Sequence, residues 1–223
     1  MIDRIIPLFI LIALFVLGFF LVRRRLLHVL ERRAFLHEFA DRFARYVESG
    51  GRNDVLYAEL TERVGRMQRE LGGYGVMASY RPPFANYAHR NYQVVINMLP
   101  EYRQAATQWR MESQAAQYAS AIRDVLLRYS GTLGELEDNA WKDLRSPVVW
   151  FRESVRAILA SPFQLLTSLG ILSSSIGAGL IGSGILRVAS GLVALIALFA
   201  GIVQIITGWD ATVAFVMKWL VRR

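Results

Sequence analysis

Apolar side chains are concentrated at the two ends of the chain, and a long charged stretch separates them. The first apolar tract, Ile5–Val22, contains 18 residues and no charge, and it stops at three consecutive arginines, residues 23–25. At 1.5 Å per residue, a helix of this length measures about 27 Å, close to the hydrocarbon thickness of a bilayer. We therefore expect an uncleaved transmembrane helix here, because the tract also lacks the small-residue cleavage site of a signal peptide.

The second apolar tract, Phe163–Trp209, is long enough to cross a bilayer twice. Gly182-Ser183-Gly184 is its strongest turn signal, which predicts one span at Phe163–Ile181 and another at Ile185–Trp209. A re-entrant hairpin that does not cross is the alternative. The pattern as a whole predicts an all-α membrane protein with three transmembrane helices, one N-terminal and two in a C-terminal hairpin, around a helical domain.

Helical periodicity dominates the charged stretch. The first helix is predicted to continue to about Ser49, where Gly50-Gly51 stops it. A second helix is predicted from Asn53 or Asp54, and one apolar face runs along it at helical spacing, formed by Tyr57, Leu60, Val64, Met67 and Leu71.

Proline and glycine predict where the later helices begin and end. Leu99-Pro100 predicts the start of a third helix that ends near Gly131, and a short helix at 135–145 is expected to follow. Ser146-Pro147 predicts an amphipathic helix, 147–161, that lies on the membrane surface and breaks at Ser161-Pro162. No stretch alternates as a β-strand does, so no strand is predicted.

These boundaries divide the chain into five regions. We expect an N-terminal anchor (1–25), a cytoplasmic helical domain (26–146), an interfacial helix (147–161), a transmembrane hairpin (162–209) and a short cytoplasmic or interfacial tail (210–223). Aromatic side chains at membrane–water boundaries anchor helices, and the pattern offers four of them: Trp150, Phe151, Trp209 and Trp219.

The arginines predict the orientation in the membrane. The net charge is +8, and the basic clusters follow the first span, precede the second and follow the third. Three crossings place all of these clusters on one face, which the positive-inside rule makes cytoplasmic. The N-terminus is therefore expected outside, in the inner or plasma membrane. Because the clusters border the apolar tracts, they favour contact with the lipid bilayer, and no nucleic acid is expected.

Small residues recur every four positions in the second predicted span, at Gly170, Ser174, Ala178 and Gly182. Such a ridge lets membrane helices approach closely, either within this chain or between copies in a homo-oligomer. Residues 177–182 also match the GxGxxG pattern, but the apolar context and the missing acidic residue exclude a dinucleotide site. Ser173–Ser175 could line a pore assembled from several copies.

The least helix-like part of the charged stretch begins at Gly72 and combines aromatic rings with arginines. Arginine binds carboxylate or phosphate, and aromatic rings pack on a partner, so we expect recognition of a protein partner or an anionic ligand here. A purely structural connector is the alternative. The candidate residues are Tyr80, Arg81, Phe84, Tyr87, Arg90 and Tyr92.

No pattern of residues predicts catalysis. The chain has no cysteine, its three histidines are scattered, and the acidic residues at 135–143 do not have the spacing of a calcium loop. We therefore predict no catalytic residue, no metal site and no cofactor. The predicted function is a non-enzymatic membrane scaffold or assembly subunit that recruits partners. An oligomeric pore or membrane-perturbing effector is the alternative, and a membrane-bound enzyme is the weaker third.

Overall fold

The computed structural model describes residues 2–82, 86–168, 196 and 200, with side-chain environments for 9–82, 86–161, 196 and 200. Five α-helices and two β-strands occupy the described residues: α1 Ile2–Glu48, α2 Asp54–Leu71, β1 Val76–Tyr80, β2 His89–Gln93, α3 Val94–Thr107, α4 Glu112–Leu144 and α5 Pro147–Ser168. Helix accounts for 83% of these residues, which confirms the predicted helical class. Among the described residues, no helix has the length and apolar character required to cross a bilayer.

The chain divides into two compact units, Leu27–Asp138 and the described parts of Met1–Leu26 with Asn139–Arg223. The core of the first unit is formed by the facing sides of α1, α2, α3 and α4. Its fully buried side chains include Phe39 and Tyr46 of α1, Leu60 of α2 and Ile122 of α4. The apolar stripe predicted from the sequence on α2 therefore faces this core.

In the other unit, α5 packs on the apolar half of α1. Phe151 and Val155 are buried against Leu11, Leu14 and Phe15, and the rings of Phe15 and Phe151 lie 5.4 Å apart. Gly18 permits this approach, because a Cβ atom at that position would overlap the backbone carbonyl of Trp150.

The glycines and the capping residue between the first two helices correctly predicted where α1 ends and where α2 begins. α1 ends at Glu48, and Gly50 and Gly51 both adopt positive φ, at 63° and 71°. Asn53 caps α2 as predicted, since its side chain accepts a hydrogen bond from the Leu56 amide at 3.1 Å.

The prediction of one helix from Leu99 to Ser130 was wrong. Residues 108–111 separate α3 from α4, and Arg110 adopts a left-handed φ of 70° there. α3 begins at Val94, so Pro100 lies inside it. α4 continues through Gly131 to Leu144 because the buried Leu133 and Ala140 hold it in place beyond the glycines.

Two further predictions were wrong. A break was expected at Ser161-Pro162, but the helix that begins at Pro147 continues through these residues to Ser168. The absence of strands was also wrong, because β1 and β2 pair as an antiparallel hairpin. Most of the predicted transmembrane hairpin, 162–209, lies outside the described residues.

Candidate recognition surface

The hairpin of β1 and β2 contains most of the residues that the sequence singled out for recognition. α2 ends at Leu71, Gly72 takes a positive φ of 51°, and a short 3-10 helix, Gly72–Gly75, leads into β1. The strands pair with Val76 opposite Gln93 and Tyr80 opposite His89.

A left-handed residue in β2 brings aromatic rings to one side of the hairpin. In a regular ladder, Tyr80 and Tyr92 would lie on opposite faces, because their cross-strand positions differ by an odd number of residues. Asn91 has a φ of 53°, which interrupts the alternation, and the rings of Tyr80 and Tyr92 lie 4.3 Å apart. Asparagine tolerates this conformation better than most residues. His89 joins the group, with its ring 5.8 Å from that of Tyr92.

Tyr80 and Tyr92, whose rings contact each other, form the base of this surface; Tyr92 is buried and Tyr80 is half-buried. Burial, followed by the nearby carboxylate of Glu101, raises the pKa of Tyr92 to about 12. Burial also raises the pKa of Tyr80, and its hydrogen bond to Tyr118 of α4 adds to the shift. Both phenols therefore stay neutral at physiological pH and act as packing and hydrogen-bonding groups.

Tyr87, His89 and Arg90 form the exposed part. The Tyr87 side chain is 62% exposed, and its ring contacts His89 edge-on at 5.2 Å. Arg90 lies opposite Ser79 in the ladder and is exposed. The structure thus brings Tyr80, Tyr87 and Tyr92 into one aromatic group with His89, which the sequence analysis had left out. Arg81 is exposed just beyond β1, and Phe84 lies outside the described residues.

A glutamine that sequence reasoning missed fixes the base of the hairpin. Gln68 of α2 is buried; its Nε2 donates to the Gly75 carbonyl at 2.8 Å and its Oε1 accepts from the Val95 amide at 3.1 Å. One side chain thereby joins α2, the residue before β1 and the first turn of α3. No local motif identifies it, because its partners are 7 and 27 residues away along the chain.

An ion-pair cluster beneath the hairpin was also missed. Arg32 of α1 donates to Glu70 of α2 at 2.6 Å and hydrogen-bonds the Tyr129 hydroxyl of α4. The Tyr74 ring lies 6.1 Å from that of Tyr129. Burial lowers the pKa of Arg32, but the hydrogen bond to Glu70 and the nearby acidic groups raise it by more. The net shift is upward, so the guanidinium stays charged.

An exposed tryptophan and a cavity of the same unit are formed by residues outside the hairpin. Trp109 is 85% exposed between α3 and α4, with the Arg110 guanidinium 4.7 Å from its ring centre. A cavity of about 130 Å³ lies between α1 and α4, lined by residues that include His37, Ala40 and Leu127. The sequence analysis placed Trp109 inside the predicted third helix and did not single it out.

The remaining predicted sites are only partly described. Trp150 donates its indole N–H to the Leu144 carbonyl at 3.1 Å and packs on Phe19, while Phe151 is buried on α1. Their role as membrane anchors stays a prediction. The small-residue ridge (170–182), Ser173–Ser175, Trp209 and Trp219 lie outside the described residues.

Within the described residues, no three His, Asp or Glu side chains are arranged to hold a metal ion. The exposed part of the hairpin presents the phenol ring of Tyr87, the imidazole of His89 and the guanidinium of Arg90. Neither a protein-family model nor a curated protein nor a solved structure matches the chain.

Proposed function

We propose that the protein is a non-enzymatic membrane scaffold or assembly subunit that recruits a partner protein through the β1–β2 hairpin. The observation that carries this proposal is the hairpin itself: the buried Tyr92 and the half-buried Tyr80 support an exposed group of Tyr87, His89 and Arg90. Tyrosine and arginine supply much of the binding energy at protein interfaces, and a rigid base reduces the entropy lost on binding. Gln68 holds the two ends of the hairpin in place through its hydrogen bonds to Gly75 and Val95.

The membrane part of the proposal is three crossings: Ile5–Val22, Phe163–Ile181 and Ile185–Trp209, with the N-terminus outside. It is supported by the continuity of α1 through its uncharged tract and by the apolar side chains exposed there, among them Phe9 (67%), Ile10 (56%) and Phe20 (56%). Apolar side chains exposed in such a row are stabilised by contact with lipid or protein. Arg23 and Arg24 are exposed directly after the tract and suit anionic headgroups.

Cysteine labelling tests the topology cleanly, because the chain contains no cysteine. Single substitutions Ser183→Cys and Ser120→Cys would be treated, in intact cells, with a maleimide that does not cross membranes. Ser183→Cys is expected to react, and Ser120→Cys only after permeabilisation. Reaction of both, or of Ser120→Cys alone, would contradict the orientation. Protection of Ser183→Cys in intact and permeabilised cells would favour a re-entrant hairpin.

Recruitment is tested by crosslinking the full chain in native membranes and comparing co-isolated proteins. The double variant Tyr87→Ala/Arg90→Ala is expected to lose a partner that the wild type retains. A matched control, Tyr74→Ala/Arg69→Ala, removes another exposed aromatic ring and another exposed arginine and is expected to retain it. Equal recovery from both variants would refute recruitment through the hairpin.

A further inference from the structure

The charge of the hairpin region indicates what kind of partner segment fits it. From Gly72 to Leu99 the chain contains Arg81, Arg90 and His89 and no acidic residue. Of the acids that flank this segment, Glu70 is engaged by Arg32. The other, Glu101, is exposed, and its carboxylate lies close enough to raise the pKa of Tyr92 and Tyr80. Arg81 and Arg90 against Glu101 leave residues 72–101 with a surplus of one positive charge, so the electrostatic potential of this segment is positive.

Arg90 is the cation best placed to use this potential. Several arginines of the described residues bind carboxylates of their own chain, among them Arg32, Arg42, Arg63 and Arg66. Arg90 makes no such ion pair with any described residue, and it is exposed on β2. Its planar fork of N–H donors matches a carboxylate with two parallel hydrogen bonds.

The backbone of the hairpin offers a second means of recognition. Within the described residues the sheet has two strands, so no further strand pairs with the outer edge of β2. β2 is also the more exposed strand, with Tyr92 as its one buried residue. An unpaired strand edge binds extended peptides by adding a strand, with main-chain hydrogen bonds for affinity and side-chain contacts for specificity.

We infer that the partner presents a short, extended segment rich in aspartate and glutamate, which pairs with the outer edge of β2. One of its carboxylates binds Arg90, and its apolar atoms pack on Tyr87 and His89. This inference rests on the proposed recruitment through the hairpin and specifies the chemistry of the partner. An anionic lipid headgroup could bind Arg90, but it has no peptide main chain to pair with the edge of β2.

Photo-crosslinking of the full chain in native membranes tests the inference. Benzoylphenylalanine replaces Tyr87 in one variant and Trp109, the most exposed tryptophan of the described residues, in another. The expected product joins position 87 to an acidic peptide of a partner protein, identified by mass spectrometry. Its yield should fall as salt is raised from about 0.05 to about 0.5 M, because screening weakens exposed ion pairs.

Charge variants of Arg90 separate specific pairing from general attraction. In the Tyr87-substituted chain, Arg90→Glu should lower the yield about tenfold or more, since it replaces charge-assisted hydrogen bonds with repulsion. Arg90→Lys keeps the positive charge but cannot form the two parallel hydrogen bonds of a guanidinium. Its crosslinking yield should lie between those of the wild type and Arg90→Glu. The matched control Arg128→Glu, at an exposed arginine of α4, should retain the yield. Circular dichroism checks that each variant is folded.

The possible outcomes are distinguishable. A product at position 87 whose peptide lacks acidic residues, or one insensitive to Arg90→Glu, overturns the inference and leaves recruitment through the hairpin standing. A lipid or nucleic-acid product at 87 overturns both the inference and recruitment of a protein by this surface. Protein products at 109 alone move the recruiting surface away from the hairpin, and no protein product at either position removes the support for recruitment.

Discussion

Replacing Gln68 with methionine should destabilise the base of the hairpin far more than an ordinary surface substitution. Gln68 satisfies two buried main-chain groups, the Gly75 carbonyl and the Val95 amide, at 2.8 and 3.1 Å. The Val95 amide lies in the first turn of α3 and has no acceptor within its own helix, and the helix cap at Gln93 provides no side-chain hydrogen bond. The glutamine therefore acts as a cap supplied by another helix.

The cost follows from counting the groups that lose a partner. A buried donor or acceptor left unsatisfied costs about 1–3 kcal/mol. Two such groups give about 2–6 kcal/mol for Gln68→Met, which keeps most of the side-chain volume. That is a large fraction of the 5–15 kcal/mol that stabilises a typical domain.

The assay is denaturant unfolding of the full chain in detergent, followed by circular dichroism, together with hydrogen exchange resolved by mass spectrometry. Gln68→Met should lower the unfolding midpoint and remove amide protection first in peptides that cover 76–95. Gln117→Met is the matched control, because Gln117 is an exposed glutamine of α4, and its cost should stay within about 0.5 kcal/mol. A loss for Gln68→Met no larger than that of the control would refute the reasoning.

Three further predictions concern the same unit and use the same unfolding assay. Gly131→Ala and Gly134→Ala should each stabilise α4 by about 0.5–1 kcal/mol, because a Cβ there has no atom within 4 Å, and a loss of stability would contradict this. Arg32→Met should cost about 1–3 kcal/mol, since it removes charged hydrogen bonds to the partly buried Glu70; a cost below about 0.5 kcal/mol would show that the cluster contributes little. Burial raises the pKa of Tyr46 to about 12, so the unfolded state ionises first and stability should fall as pH rises from about 10 to about 12; Tyr46→Phe should flatten that fall, and an unchanged slope would refute it.

The helices that the sequence predicted well are those whose ends are determined by neighbouring residues. Gly50 and Gly51 adopt positive φ, and Asn53 caps α2, so the signals and the structures they produce lie within a few residues of each other. The apolar stripe of α2 faces the core because helical periodicity alone places those side chains on one face.

The ends that could not be predicted depend on distant contacts. α3 begins at Val94 because Gln68 satisfies its first turn from another helix, so Pro100 does not mark its start. The interruption between α3 and α4 depends on Arg110 in a left-handed conformation. Residues 108–111 contain no glycine or proline that would predict such a break. The strands escaped detection because their exposed and buried positions do not alternate regularly.

The candidate site was predictable in composition and unpredictable in arrangement. A local excess of tyrosine and arginine is visible in the sequence, and it led us to propose Tyr80, Tyr87, Arg90 and Tyr92 as one recognition site, which stays a prediction. Which rings meet depends on Asn91, whose positive φ turns Tyr92 toward Tyr80 and His89. A single backbone conformation of this kind leaves no pattern that a periodicity argument can detect.

The ion pairs of Arg25 give one of the arginines behind the proposed orientation a structural role as well. Glu153 is almost fully buried, and Arg25 binds it at 2.9 Å while also lying 3.7 Å from Asp143. A buried carboxylate requires such a partner, because an uncompensated charge away from water is strongly destabilising. Arg25 therefore binds acids of its own chain although its side chain, like those of Arg23 and Arg24, is exposed. The positive-inside rule counts arginines whether or not an acid pairs with them, so Arg25 still supports the proposed orientation together with Arg23, Arg24, Arg32 and Arg33, and it also holds α5 against α1.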